Sequence, residues 1–279
     1  MRCYRMLARL SRVRISFDGA RLAGALLLVL SLGLFLTVLI STFSSVGLKE
    51  AVLTLTSNEV SFALSLSLTT SATSTLIALW LSIHVAYFLS RYDFYGKTLL
   101  EVLILLPYAL TPVALGTLLL VFFSRTSFGV FLDSLFNVVF NVNALLLVQF
   151  LVSFSVMTNA LKSYLDSVDV EYESVAYSLG YDRLRTLYKV TLPMIKNGVI
   201  TAYALGFLKA FSDFGASVML AGATLFKTST LPITIYLFMS SGEVDKALTA
   251  VGLDALVSMF ALIVIKKSAA GVKYGFRGF

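Results

Sequence analysis

The chain has 279 residues, of which 58% are hydrophobic and only 13% charged, and its mean hydropathy of +0.90 lies outside the range of soluble domains. A water-soluble globular protein is excluded, and a protein that crosses a membrane several times is expected. A single cysteine, Cys3, and a single histidine, His84, allow neither an internal disulfide nor a Cys/His metal site, so no metal and no cofactor is expected. The net charge of +7 is accounted for by membrane topology and attraction to anionic headgroups, which leaves no call for a nucleic-acid partner.

Crossing about 30 Å of hydrocarbon takes roughly 20 mostly apolar helical residues. Stretches of that kind run from Leu22 to Thr42, Leu66 to Leu89, Leu99 to Phe123, Asn143 to Leu161, Gly198 to Leu220 and Ala247 to Ile265. They are too long and too continuously apolar to be barrel strands. The fold class expected is therefore all-α, a polytopic membrane bundle of about six transmembrane helices. Residues 1–21 form a basic arm, 22–265 the membrane domain, and 266–279 a short tail. The first span is longer than a signal-peptide core and has no small-residue cleavage site after it, so it is expected to stay as an anchor.

Several features break the apolar pattern. In the third span Pro107 and Pro112 enclose Tyr108 and Thr111. Prolines so placed predict a break, which lipid tolerates only where protein or a water-filled path satisfies the freed backbone groups. A translocation path lined by Pro107, Thr111 and Pro112 is the functional reading, and a packing kink is the structural one. Gly96, Lys97 and Thr98 spell the end of a phosphate-binding loop, but its first glycine would fall where Arg91 stands and no buried strand precedes it. No nucleotide site is thus visible. His84 and Asp254 are intramembrane polar groups without a partner evident in the sequence, read as satisfied core or cavity residues.

Between the fourth and fifth spans lies a polar island, VDVEYESVAYSLGYDRLRTLYKVTLP, Val168 to Pro193. Glu171 to Ser178 has helical spacing, Gly180 interrupts it, and Asp182 offers an oxygen to cap a second short helix through Val190. Val175, Leu179, Leu184, Leu187 and Val190 supply an apolar stripe, with Arg183, Arg185 and Lys189 elsewhere. Such a helical hairpin either inserts into a groove on a soluble partner or floats on the headgroups. In the fifth span, Lys209 and Asp213 are four apart, so on one helix they share a face and can pair. Gly206, Ala210, Gly215 and Ala216 permit close helix approach, with packing the expected role.

Basic residues sort between alternate loops. The arm with Arg2, Arg5, Arg9, Arg12, Arg14 and Arg21 falls on one side with Arg91, Lys97, Lys162, Arg183, Arg185, Lys189, Lys196, Lys266, Lys267, Lys273 and Arg277. The other side holds Lys49, Arg125, Lys227 and Lys246. The positive-inside rule then places both termini and the island in the cytoplasm.

The island resembles the EAA loop of ATP-binding-cassette importer permeases in Glu173, Ser174, Val175 and Ala176, then Gly180, then Thr191, Leu192 and Pro193. Ser174 and Val175 stand where many members have Glu and Ala, and the acidic residue sits one place earlier. Phe94 to Phe123, Phe207 to Gly222 and Lys227 to Tyr236 are similar to segments of molybdate, tungstate and sulfate permeases. The resemblance implies a permease subunit, not itself an enzyme, in the prokaryotic cell membrane. Its expected partners are a second permease copy, a cytoplasmic ATPase dimer and an external solute-binding protein. It also implies that Glu173, Ala176, Gly180, Asp182, Arg183, Arg185 and Pro193 belong to the coupling loop, and that Lys209 attracts a tetrahedral oxyanion while Asp213 sets a gate, unless the two form a structural ion pair. A permease for ferric iron, thiamine or polyamines is the alternative within the wider superfamily, whose members share the EAA loop and DFG-like segments. A stand-alone secondary transporter or channel is the alternative of another class, although no internal repeat supports it.

Overall fold

The computed structural model describes residues 21–34, 36–38, 40–42, 44 and 47–275. Nearly all of the basic arm and residues 276–279 of the tail lie outside the described residues. Among the described residues every regular element is helical: α1 Arg21–Thr42, α2 Leu48–Leu55, α3 Asn58–Arg91, α4 Lys97–Ala109, α5 Pro112–Arg125, α6 Ser127–Phe136, α7 Val142–Asp166, α8 Glu171–Ser178, α9 Arg183–Thr186, a π-helical turn Leu187–Thr191, α10 Leu192–Met194, α11 Lys196–Phe211, α12 Gly215–Ala221, α13 Leu231–Ser240 and α14 Val244–Gly275. The helices α1, α3, α7 and α14 are long and apolar enough to cross a membrane, and the pairs α4–α5 and α11–α12 raise the number to six if each is one crossing.

The helical bundle expected from the sequence is present, but the segments expected as its third and fifth crossings are not straight. α4 and α5 meet at 104° and α11 and α12 at 57°. The second crossing begins earlier than hydropathy suggests because Ser57 caps α3, its Oγ accepting the Val60 N–H at 3.4 Å. The last continues as helix to Gly275, past the expected boundary at Ile265. The apolar helices α6 and α13, at 10 residues each, are too short to cross and escape a criterion based on span length.

At the centre stands α7, with 56% of its apolar window buried against 33% for α3 and 17% for α14. Its neighbour α3 carries a stripe of small hydroxyl residues, Ser67, Thr70, Ser71, Ser74, Thr75 and Ser82, all buried. Small side chains let two helices approach, and their hydroxyls find acceptors where lipid offers none. Ser74 Oγ donates to the Leu146 carbonyl at 3.1 Å and Ser82 Oγ to that of Phe154 at 3.4 Å. Both bonds span the same sequence separation, so α3 and α7 run parallel. α11 runs antiparallel to α7, because Gly198 lies against the Tyr164 ring and Gly206 against Met157. Gly206 and Gly215, Ala210 and Ala216 are all buried within the chain, the packing role expected of them.

Candidate functional site

The island folds from local signals. Glu171 and Glu173 stand in the first turn of α8, where the helix dipole favours negative charge. Gly180 adopts φ +85, a left-handed conformation that costs little only for glycine, and its N–H donates to the Tyr177 carbonyl at 2.9 Å. Asp182 Oδ1 then accepts the Arg185 N–H at 3.1 Å and starts α9. The expected second helix is not one α-helix through Val190, since the chain widens into the π turn Leu187–Thr191 just ahead of Pro193. A proline ring collides with the carbonyl four residues back in regular α geometry, and the wider turn relieves that collision.

The island has two faces. Inward, Glu173 is 2% exposed, and its Oε1 accepts from Arg91 Nε at 2.9 Å and Thr191 Oγ1 at 3.0 Å. Its Oε2 accepts from Tyr87 OH at 3.0 Å. Ala176 is buried beside it. Outward, Val170, Tyr172, Val175, Leu179 and Leu184 are exposed. Arg183 stacks over the Tyr92 ring, 5.2 Å from its centroid, and donates to the Tyr92 hydroxyl. Gly180, Asp182, Arg183, Arg185 and Pro193 are all exposed. The coupling-loop residues of the sequence reading therefore divide. Glu173 and Ala176 face the bundle and are covered, while the others remain on the surface. The apolar stripe divides likewise, Leu187 being buried and the first three members exposed. Tyr87 and Arg91, which hold Glu173, lie more than 80 residues away in sequence, and only a buried carboxylate's need for a cationic partner could have pointed to Arg91.

The two breaks meet. The chain leaves helical geometry at Leu110 and Thr111, with backbone ψ angles of 147 and 142. Pro107 lies inside α4, whereas Pro112 is the first residue of α5, where its missing N–H is not needed. Thr111 Oγ1 accepts the Ala114 N–H at 3.3 Å. The second break, Ser212 to Phe214, packs on the first through Gly215, where a Cβ would stand 2.8 Å from Pro112 Cβ. Lys209 and Asp213 do not form the ion pair that is one of their two readings, because the helix ends between them. Asp213 Oδ2 instead takes the Ser217 N–H at 2.9 Å and the Ser217 hydroxyl at 2.6 Å. The Lys209 ammonium rests 5.5 Å from the centroid of the Tyr108 ring. Pro107, Thr111, Pro112, Lys209 and Asp213 thus gather around the apposed breaks, where Tyr108, Thr111, Pro112 and Ser212 are exposed on this chain.

His84 has a partner after all, its Nε2 lying 2.9 Å from Tyr188 OH of the π turn. Asp254 departs from the expected satisfied residue, because among the described residues no donor reaches its buried Oδ1. Among the described residues no three His, Cys, Asp or Glu side chains converge on a metal-sized site.

Comparison with known proteins bears on this architecture. A family profile described as the inner membrane component of binding-protein-dependent transport systems matches residues 78–267. The molybdenum transport system permease protein ModB of Haemophilus influenzae is 32% identical over 206 residues, which cover 72% of this chain and 90% of that protein. The molybdate/tungstate transport system permease protein WtpB of Methanocaldococcus jannaschii is 32% identical over 210 residues, 72% of this chain and 82% of the relative. A chain of a crystal structure of a bacterial alginate ABC transporter, in complex with its alginate pentasaccharide-bound periplasmic protein, superimposes with a TM-score of 0.69 at 18% identity, over 89% of this chain and 91% of that one. With its apolar helices, two bent helix pairs and helical island, the chain belongs to the family of inner membrane components of binding-protein-dependent transport systems.

Proposed function

We propose that this chain is the membrane-embedded half of an ATP-driven oxyanion importer. Two copies pair across the apposed breaks, the α8–α9 face is gripped by a cytoplasmic ATPase, and an external binding protein delivers molybdate or tungstate ahead of sulfate. The observation that carries this reading is the two-faced island: a polar hub holds its inner side to the bundle while an apolar and basic surface is left outward. Exposed apolar side chains on a charged loop mark a site that another protein covers. The broken backbone at Thr111 and Ser212 gives the second support, since irregular backbone at membrane depth needs protein or a water-filled path over it. Lys209, with no carboxylate paired to it among the described residues, supplies positive charge beside that path and favours an anion. The cargo class follows the molybdate and tungstate permeases to which the chain is similar. ATP hydrolysis belongs to the partner, and both termini lie in the cytoplasm by the distribution of basic residues.

The test is uptake of radiolabelled molybdate into proteoliposomes holding this chain, the ATPase that co-purifies with it, and its binding protein. The expected result is uptake that requires ATP inside the vesicles and is competed by tungstate. Uptake without ATP, or ATP-driven uptake of thiamine or a polyamine and not of molybdate, contradicts it.

A further inference from the structure

We infer that Glu173 and Arg91 form the joint through which movement of the α8–α9 face enters the membrane, and that the helix so driven is α3, not α11, to which the loop is covalently joined. This rests on the reading of that face as the surface an ATPase grips.

Two routes lead from α8 into the bundle. The covalent one passes through α9, the π turn and α10, pieces of 4, 5 and 3 residues. It then leaves helical angles at Ile195, with φ −100 and ψ 19, before α11 begins. These pieces follow one another directly and backbone bonds bridge Ile195, whose N–H donates to the Thr191 carbonyl at 3.2 Å, but a π turn and a non-helical junction are the points at which a helix bends.

The second route is non-covalent and stiff. Both oxygens of the Glu173 carboxylate are engaged, Oε1 by Arg91 Nε and Thr191 Oγ1, and Oε2 by Tyr87 OH at 3.0 Å, with Tyr177 OH further off at 3.5 Å. Arg91 also donates to the Val168 carbonyl at 3.3 Å and to Ser90 Oγ at 3.2 Å. The side chains of the pair are 9% and 2% exposed. A buried charged pair with its remaining hydrogen-bond sites filled has one favourable geometry, and pulling the partners apart strands a charge. From Arg91, α3 continues unbroken for 34 residues, about 51 Å at 1.5 Å per residue. Towards its other end Ser67 Oγ accepts the Leu231 N–H at 2.6 Å, tying α3 to the first residue of α13. A displacement at Glu173 is thereby delivered along α3 to α13, on the opposite side of the bundle from the island. Glu173 and Arg91 are positioning residues in this scheme and touch no substrate.

The experiment uses the complete transporter in proteoliposomes with its co-purified ATPase and binding protein, and measures molybdate uptake and ATP hydrolysis in the same vesicles. Glu173→Gln and Arg91→Met are expected to keep the ATPase bound and hydrolysing, with uptake per ATP reduced about tenfold or more. The double variant, which no longer strands a charge, is expected to regain the thermal stability lost in Arg91→Met without regaining uptake per ATP. Met194→Gly, which loosens the covalent route at an exposed position, is expected to change that ratio less than about twofold. Recovery of coupling in the double variant, an unchanged ratio in the single ones, or a loss in Met194→Gly as large as in Glu173→Gln overturns the inference while leaving the importer reading intact. A wild-type chain that binds no ATPase overturns both.

Discussion

The Lys209 ammonium over the Tyr108 ring is held by a contact worth about 0.5–2 kcal/mol, which an arriving anion can replace. Charge-assisted hydrogen bonds contribute about 1.5–3 kcal/mol, so Lys209→Met is expected to raise the molybdate concentration for half-maximal uptake on the order of 10- to 100-fold, with Lys209→Arg close to wild type. Equal concentration dependence of all three removes Lys209 from the path. Asp213 has a different role. Its carboxylate ties the first turn of α12 together through Ser217, so Asp213→Ala is expected to cost about 0.5–2 kcal/mol of stability. The loss appears as a lowered Tm in detergent, with the half-maximal molybdate concentration within about twofold of wild type. The four-residue spacing was legible as helix-face adjacency, but Ser212 and Asp213 are residues whose side chains compete for local backbone groups and favour helix ends. That competition prevailed over the spacing.

At the level of elements, close contact between α5 and α12 holds the two breaks in place. At Gly116 a Cβ would meet the Ala216 carbonyl oxygen at 2.7 Å and its Cα at 2.8 Å, both backbone atoms that cannot swing aside. Gly116→Ala is expected to destabilise by about 1–3 kcal/mol, measured as a fall in Tm, and to misalign the breaks so that uptake falls further than the loss of folded protein explains. Full uptake per folded molecule contradicts that link. In the island, Gly180→Pro removes the N–H that the Tyr177 carbonyl accepts and cannot adopt φ +85. It is expected to displace α9 and lower ATPase recovery at least tenfold. The third-span break was legible because two prolines flank it. The fifth-span break has no proline, and a hydropathy window averages its short polar run away, so its bend is found only in the structure.

For the whole molecule, the all-helical bundle and the turn of the island at Gly180 and Asp182 followed from composition, glycine and capping residues, which act locally. What the island does with its side chains did not follow, because burial of Glu173 depends on Tyr87 and Arg91 arriving from α3. That arrival leaves Val175, Leu179 and Leu184 outward, the surface proposed above for the ATPase. Affinity purification from mildly solubilised native membranes, wild type beside Leu179→Glu/Leu184→Glu, puts this arrangement to the test. An ATPase recovered with the wild-type chain and lost with the double variant, both chains being equally folded, is the predicted result. A stable wild-type complex without an ATPase, or equal recovery with both chains, contradicts it.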